Sequence, residues 1–225
     1  MAQTVLFLDS ATESCTAGVR VDGCIHSRFE IAPRGHAQKL LPMAEAVMAE
    51  AGVGYADLDV IGFNRGPGSF TGVRIATGLA QGMAMARDLP LLPISSLQIL
   101  AQQYQRRKSA TDPDWVHVTI DARMREIYYA VFRLEQGKPP IYVVDDCVCR
   151  PELRSQPHPA AGVGTGFSAW PELGESLTMV DSGALPDAES ALALIATGAV
   201  AEPVAADQAL PEYLRNDVAT PPKAV

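Results

Sequence analysis

The sequence predicts an α/β protein with mixed sheets covered by helices, built as two units of similar topology but unequal size, and three features carry that prediction. The chain opens on an antiparallel hairpin; strand-like and helix-like segments then alternate; and beyond a polar linker at residues 109–114 strand character resumes. At 225 residues, 48% hydrophobic and 20% charged, the chain has globular composition and the length of one large domain or two small ones.

Residues 4–8 are a short apolar run ending at Asp9, and 17–21 and 24–31 flank the turn Asp22-Gly23, so these read as three strands, the last two a hairpin. From His36 onward Leu40, Leu41, Ala44, Val47, Met48 and Ala51 recur on one face at helical spacing until Gly52, which predicts an amphipathic helix. Pro42 has no N–H to offer residue 38, so regular helix either starts near Gln38 or is kinked in its first turn. Residues 58–63 read as a strand, 70–87 as a second helix, 91–94 as a short strand and 96–106 as a third helix. After the linker, 115–120 and 127–134 are rich in β-branched and aromatic residues and predict a second hairpin with Asp121 at its turn. Beyond residue 138 lie 11 of the 17 prolines, so that stretch is expected to be loop-rich, with a strand at 160–163 and one helix from Asp187 to about Ala201. Residues 1–108 therefore form the first unit and 109–225 a second, reduced one, with the C-terminal segment free to pack back on the first.

Charge and cysteine usage exclude several functions. The formal net charge is −8, and nearly all of it is C-terminal: residues 1–155 carry 16 basic and 17 acidic side chains, whereas 156–225 carry only Arg215 and Lys223 against 9 acids. Without a basic stripe the chain is a poor stand-alone binder of nucleic acid. The cluster Arg106-Arg107-Lys108 reads as cations complementing a helix C-terminus. The spacing Cys147-Val148-Cys149 is too short for a zinc-holding pair, and Cys15 and Cys24 stand apart, so four free thiols are expected. His26, His36, His117 and His158 fall in separate segments, and no metal site is expected. No apolar run is long enough to cross a membrane, and the start lacks a basic region and meets Asp9 early, so a cytoplasmic protein is expected.

The most informative stretch is Gly66-Pro67-Gly68-Ser69-Phe70-Thr71-Gly72, which leaves a strand and opens a helix. That position suits phosphate binding on exposed N–H groups. Its glycine spacing fits neither a P-loop nor a dinucleotide fingerprint, and Pro67 removes a donor, so the competing reading is a tight turn in which Ser69 caps the helix and Phe70 packs beneath it. Asp9 and Asp121 each end a strand where a carboxylate can serve a metal-bound phosphate, but no glycine follows Asp9. Together Asp9, Gly66, Gly68, Ser69 and Asp121 make a candidate vestigial nucleotide site, and an ATP-dependent kinase-like enzyme is the alternative reading. Gly162-Val163-Gly164-Thr165-Gly166 is a weaker glycine signal of the same kind.

The helix behind the loop carries two small-residue rows, Gly72, Ala76, Ala80 and Ala84, and Gly78, Gly82 and Ala86. Gly78 and Gly82 together forfeit about 2 kcal/mol of intrinsic helix stability relative to alanine. Such a row pays only through close approach of another helix, either the 38–51 helix of this chain or one from a partner.

In order along the chain, LDSATESC, HAQKLLP, GPGSFTGVRIATGLAQG, PISSLQILA and IDARMREIYYA closely resemble the TsaB (YeaZ) family, bacterial proteins of tRNA threonylcarbamoyladenosine biosynthesis and paralogues of the larger TsaD. The resemblance spans roughly residues 4–130, with weaker echoes at 186–196 and 211–215. It implies an actin-like ATPase, Hsp70 and sugar-kinase type fold of two ribonuclease-H-like units, and a role without catalysis. In that family the protein pairs with TsaD through the first two helices. TsaD, with the TsaE ATPase, then transfers the threonylcarbamoyl group to the adenosine beside the anticodon of ANN-decoding tRNAs. TsaD carries the metal-binding histidine pair; here the matching region offers His36 with Leu40 four residues on. Carried onto this sequence, the partner surface is expected at Leu40, Leu41, Ala44 and Met48 of the first helix and Phe70, Val73, Arg74, Thr77, Gly78 and Gln81 of the second. A homodimer is expected when TsaD is absent, tRNA contact only through the complex, and ATP or ADP binding only weakly or through the complex.

Overall fold

The computed structural model describes residues 3–154 and 158–215, so 216–225 of the second unit lie outside the described residues. Each half is organised on a five-stranded sheet. In the first, β1 (Val5–Asp9), β2 (Ser14–Val21) and β3 (Cys24–Ile31) form an antiparallel meander, and α1 (His36–Glu50) leads to β4 (Val60–Gly66), parallel to β1. α2 (Phe70–Met85) returns the chain to β5 (Leu91–Ser95), parallel to β4, and α3 (Ser96–Arg107) follows. In the second, β6 (Trp115–Asp121), β7 (Ile127–Arg133) and β8 (Ile141–Cys149) are antiparallel, while β9 (Ala160–Val163) and β10 (Met179–Asp181) add in parallel. The orders β3-β2-β1-β4-β5 and β8-β7-β6-β9-β10 are the same topology twice. The second copy is reduced. It has no helix among its described residues between β8 and β9, and between β9 and β10 it has only α4 (Gly166–Ala169) and a 3-10 turn at Pro171–Gly174. These are the two ribonuclease-H-like units that the family resemblance implied.

Five elements differ from the sequence expectation. β2 starts at Ser14, because Thr16 pairs with Asp9 and Ser14 with Ile31, so polar residues extend the strand at its buried end. β8, an edge strand interrupted by Asp145 and Asp146, is unforeseen, as is the short β10. α1 starts at His36 and continues past Pro42 to Glu50, leaving the carbonyl of exposed Gln38 without an intrahelical donor. α5 (Ala188–Ala196) stops short of 201 because Gly198 adopts φ +73 just beyond it.

The helices that end the two units are exchanged. Leu97, Leu100, Ala101 and Tyr104 of α3 share a core with Val116, Val118, Ala130 and Phe132 of the second sheet. Ala188, Ala191, Leu192 and Ile195 of α5 share one with Val5, Phe7, Val60 and Ile94 of the first. Where the two helices meet, Arg106 of α3 pairs with Glu189 at 2.8 Å and Asp187 at 3.7 Å, and Arg107 with Asp187 at 3.4 Å. The basic cluster is therefore the α3 C-terminus set against the acidic start of α5, where both dipoles are complemented. Lys108 pairs with Asp114 at 3.0 Å.

α2 divides its small residues between two environments. Ala76, Ala80 and Ala84 lie in the first core with Leu40, Ala44 and Met48 of α1. At Gly72 a Cβ would stand 2.0 Å from the carbonyl oxygen of Ser10, so only glycine lets the helix start this close to the loop after β1. Gly78 and Gly82 face open space, with nothing within 4 Å of an added Cβ. Gly72→Ala is therefore expected to cost about 2–3 kcal/mol or to prevent folding, whereas Gly78→Ala should stabilise by about 0.5–1 kcal/mol. Urea denaturation midpoints of the two variants check this; losses of equal size would contradict the packing described.

Candidate functional site: the inter-unit cleft and the open face of α2

A cleft of about 1160 Å³ separates the units, walled on one side by Ala11, Thr12, Gly68 and Ser69 and on the other by Asp121, Arg123, Tyr128 and Thr165. Asp9 and Asp121 end the first strand of their respective sheets, so the repeated topology brings both carboxylates to the same end of the molecule. Their surroundings differ. Asp9 is fully buried, with Oδ1 accepting from the Ala11 N–H at 2.7 Å and Oδ2 from the Asn64 side-chain amide at 2.8 Å. Loss of hydration pushes its carboxyl up to about 7 against the lowering effect of those two bonds. Asp121 accepts from the backbone N–H of Arg123 at 2.9 Å and pairs with its guanidinium at 2.9 Å.

Sequence reasoning missed Asn64, which ties this floor together. Its amide donates to Asp9, and its Oδ1 accepts from the Gly66 N–H at 2.9 Å and the Ser96 hydroxyl at 2.8 Å. The glycine loop is packed onto the 9–12 segment: a Cβ on Gly68 would lie 2.2 Å from the Ala11 carbonyl oxygen, and the Ser69 N–H donates to that oxygen at 2.7 Å. Gly66 takes φ +107, and the Ser69 hydroxyl accepts from the Gly72 N–H at 3.1 Å, so Ser69 caps α2. The donors of Gly66, Ser69 and Gly72 are thus engaged within the fold, and Pro67 has none. The structure brings Asp9, Gly66, Gly68 and Ser69 together and leaves Asp121 across the cleft. The turn after β9 repeats the device, since Cβ atoms on Gly164 and Gly166 would stand 2.2 Å and 2.5 Å from the carbonyl and hydroxyl oxygens of Thr119 on β6.

The helical face needs correction. Leu40, Ala44 and Met48 of α1 and Val73 and Thr77 of α2 are at most 3% exposed and belong to this chain's own core, because the apolar side of an amphipathic helix covers its own sheet first. Leu41 is 37% and Phe70 57% exposed, so Phe70 does not pack beneath the loop, and Arg74 and Gly78 are exposed as well. Gln81 is half-buried and donates to the carbonyls of Ala206 and Ala209 at 3.0 and 2.9 Å. Arg74 lies 3.5 Å over the Phe70 ring and donates through Nε to the Tyr213 hydroxyl at 2.7 Å. Tyr213 is a second residue the sequence reading did not single out, its only signal being the faint family echo at 211–215. The open face of α2 is therefore Phe70, Arg74, Gly78 and Gly82, ending at Met85, which is 73% exposed.

His36 lines the cleft, 9% exposed, with Nε2 lacking a hydrogen-bond partner among the described residues. No group of three or more His, Cys, Asp or Glu side chains positioned for a metal occurs among the described residues. The four cysteines are free thiols, and burial pushes Cys15 and Cys149 up to about 11, away from nucleophilic use. No helix among the described residues is long and apolar enough to cross a membrane.

Comparison with known proteins places the chain among close relatives. Residues 25–160 match the family described as TsaD, tRNA N6-adenosine threonylcarbamoyltransferase. The tRNA threonylcarbamoyladenosine biosynthesis protein TsaB of Escherichia coli strain K12 is 38% identical over 96% of both chains. That of Haemophilus influenzae is 35% identical over 96% of this chain and 94% of its own. A Pseudomonas aeruginosa crystal structure, described as an uncharacterized protein with similarity to peptidase YEAZ, superposes with TM-score 0.87 at 40% identity, covering 95% of this chain and all of that one.

The buried Asp9 carboxyl gives a pH signature. Its folded value, about 7, lies above the ordinary 3.8, so the proton favours the folded state: the contribution is complete below about pH 4 and is lost as pH rises through 7. The stability of the wild type relative to Asp9→Asn should therefore fall by on the order of 1–3 kcal/mol between pH 4 and 8. Urea midpoints across that range measure it; a pH-independent difference would mean that Asp9 is ionised throughout.

Proposed function

The chain belongs to the TsaB family, and from that membership we propose that it is the non-catalytic partner of a TsaD-type threonylcarbamoyltransferase, needed for threonylcarbamoyladenosine formation beside the anticodon of ANN-decoding tRNAs. The observation that carries the partner role is the open face of α2. Gly78 and Gly82 leave bare backbone, flanked by exposed Phe70 and Met85, on a helix that forfeits intrinsic stability to keep it so. A helix from a partner can approach such a surface closely; without TsaD the same face serves a homodimer. A TsaE-type ATPase joins through the complex, tRNA is held by the complex, and the setting is the cytoplasm.

The absence of a catalytic role is supported by the cleft floor. Three of the loop donors, the N–H groups of Gly66, Ser69 and Gly72, are taken up by Asn64, Ala11 and Ser69, and both oxygens of Asp9 already accept hydrogen bonds. A kinase-like enzyme remains the second reading, favoured by the two carboxylates at equivalent strand ends beside a roomy cleft. The two readings differ in what the isolated chain does with ATP.

The deciding experiment measures threonylcarbamoyladenosine on unmodified tRNA with cognate TsaD, TsaE, the adenylate-forming synthase, ATP, threonine and bicarbonate, with and without this chain. Product should require the chain. Gly78→Leu, which meets open space in the monomer, should fold normally yet lower product formation by about tenfold or more and shift the isolated chain toward monomer in sedimentation. Full product without the chain would refute the proposal, and ATP turnover by the chain alone would favour the second reading.

A further inference from the structure

The segment from Val204 to Arg215 crosses from the first unit to the second along one edge of the cleft. It is fastened to the first unit at several points. Val204 and Leu91 exchange backbone hydrogen bonds of 2.8 and 2.9 Å, Gln81 of α2 holds the carbonyls of Ala206 and Ala209, and the Glu212 N–H donates to the Arg65 carbonyl at 2.8 Å while their side chains pair at 3.0 Å. Tyr213 then engages Arg74. The next contacts are on the other unit. Arg215 donates to the Ala122 carbonyl at 3.1 Å, pairs with Glu126 and lies 3.2 Å from the Met124 sulfur. The Arg215 side chain is only 17% exposed, whereas Glu126 is 35% exposed, so the guanidinium end of the pair is the one sheltered from solvent.

What Arg215 grips is itself unusual. Arg123, Met124 and Arg125 are three successive non-glycine residues in the left-handed region, with φ of 60, 53 and 61°. Such conformations persist only where surrounding contacts hold them. The turn is closed on itself by Ala122 N–H to Glu126 at 3.1 Å and Glu126 N–H to Arg123 at 3.0 Å, and Arg215 binds both of its ends. The walls of the cleft include this turn, the segment 212–215 and, on the first unit, His36 and Gly68.

We propose that the C-terminal segment is a strap that holds the cleft closed, with Arg215 as the clasp on the second unit and α2 as the anchor on the first. The inference stands on the cleft geometry alone and does not depend on the partner reading above. Releasing Arg215 lets the units separate about α3 and α5 while the strap stays fastened to α2.

Hydroxyl-radical footprinting of the full chain tests this. His36 reports the state of the cleft, because it lines the first wall and stands apart from Ala122, Met124 and Glu126, which Arg215 contacts. Arg215→Ala is expected to raise His36 oxidation about threefold or more while fully buried Phe7 and Tyr129 stay protected. Glu126→Gln, which removes the charge of the clasp but leaves the Ala122 carbonyl in place, should change it in the same direction to a smaller extent. Unchanged His36 oxidation in both variants, with increases confined to 212–215, would overturn the proposal, since the segment would then fray without gating the cleft. If Arg215→Ala unfolds, seen as oxidation of Phe7 and Tyr129, the Glu126→Gln result decides by the same criterion.

Discussion

The near-contact of a helix-start turn with the end of a first strand, possible only where a Cβ is missing, is the constraint on which the rest of this structure depends. It occurs once in each unit, at Gly68 and Gly72 against Ala11 and Ser10, and at Gly164 and Gly166 against Thr119. Each close approach fixes where the following helix begins relative to its sheet. In the first unit it sets α2 so that one row of small residues enters the core and the other remains outside. In the second it sets the start of α4, the four-residue helix that follows β9. The cleft is what lies between these two turns.

The polar groups around the first turn are arranged to make that approach tolerable. Burying a carboxylate costs several kcal/mol unless it is bonded or neutralised, and Asp9 is both: it accepts from Ala11 and Asn64 and retains a proton more readily than an ordinary carboxyl. Asn64 passes the constraint on, because its other face holds the Gly66 N–H and the Ser96 hydroxyl at the start of α3. One amide thereby joins the first strand, the glycine loop and the helix that crosses to the second sheet.

How far the sequence disclosed this varies by element for physical reasons. Helices and buried strands of the first unit were legible because their apolar residues keep a period of 3.6 or form continuous runs between turn residues. β8 was not: as an edge strand with one side partly open to solvent it carries Asp145 and Asp146, and the proline pair before it reads as loop. The glycine loop was legible as a tight turn capped by Ser69, but what glycine makes room for, a carbonyl of a segment more than fifty residues away, has no local signal. The partner face was expected on the apolar side of the first two helices, and that side is turned inward. Apolar spacing identifies the side that covers the chain's own sheet, so Leu40, Ala44 and Met48 fell inside, and the outer face is marked by what it lacks, at Gly78 and Gly82. The segment around Tyr213 follows no period, since its contacts are single hydrogen bonds and one stacked guanidinium.

The exchange of α3 and α5 bears on how the chain is made. Translation completes all five strands of the first sheet by residue 95, yet the side of that sheet lined by Val5, Phe7, Val60 and Ile94 is covered by residues 188–196. A nascent chain therefore emerges with an apolar sheet surface that stays open until residues 188–196 have left the ribosome. The first unit cannot bury that surface from its own strands and must wait for a helix made after the second sheet.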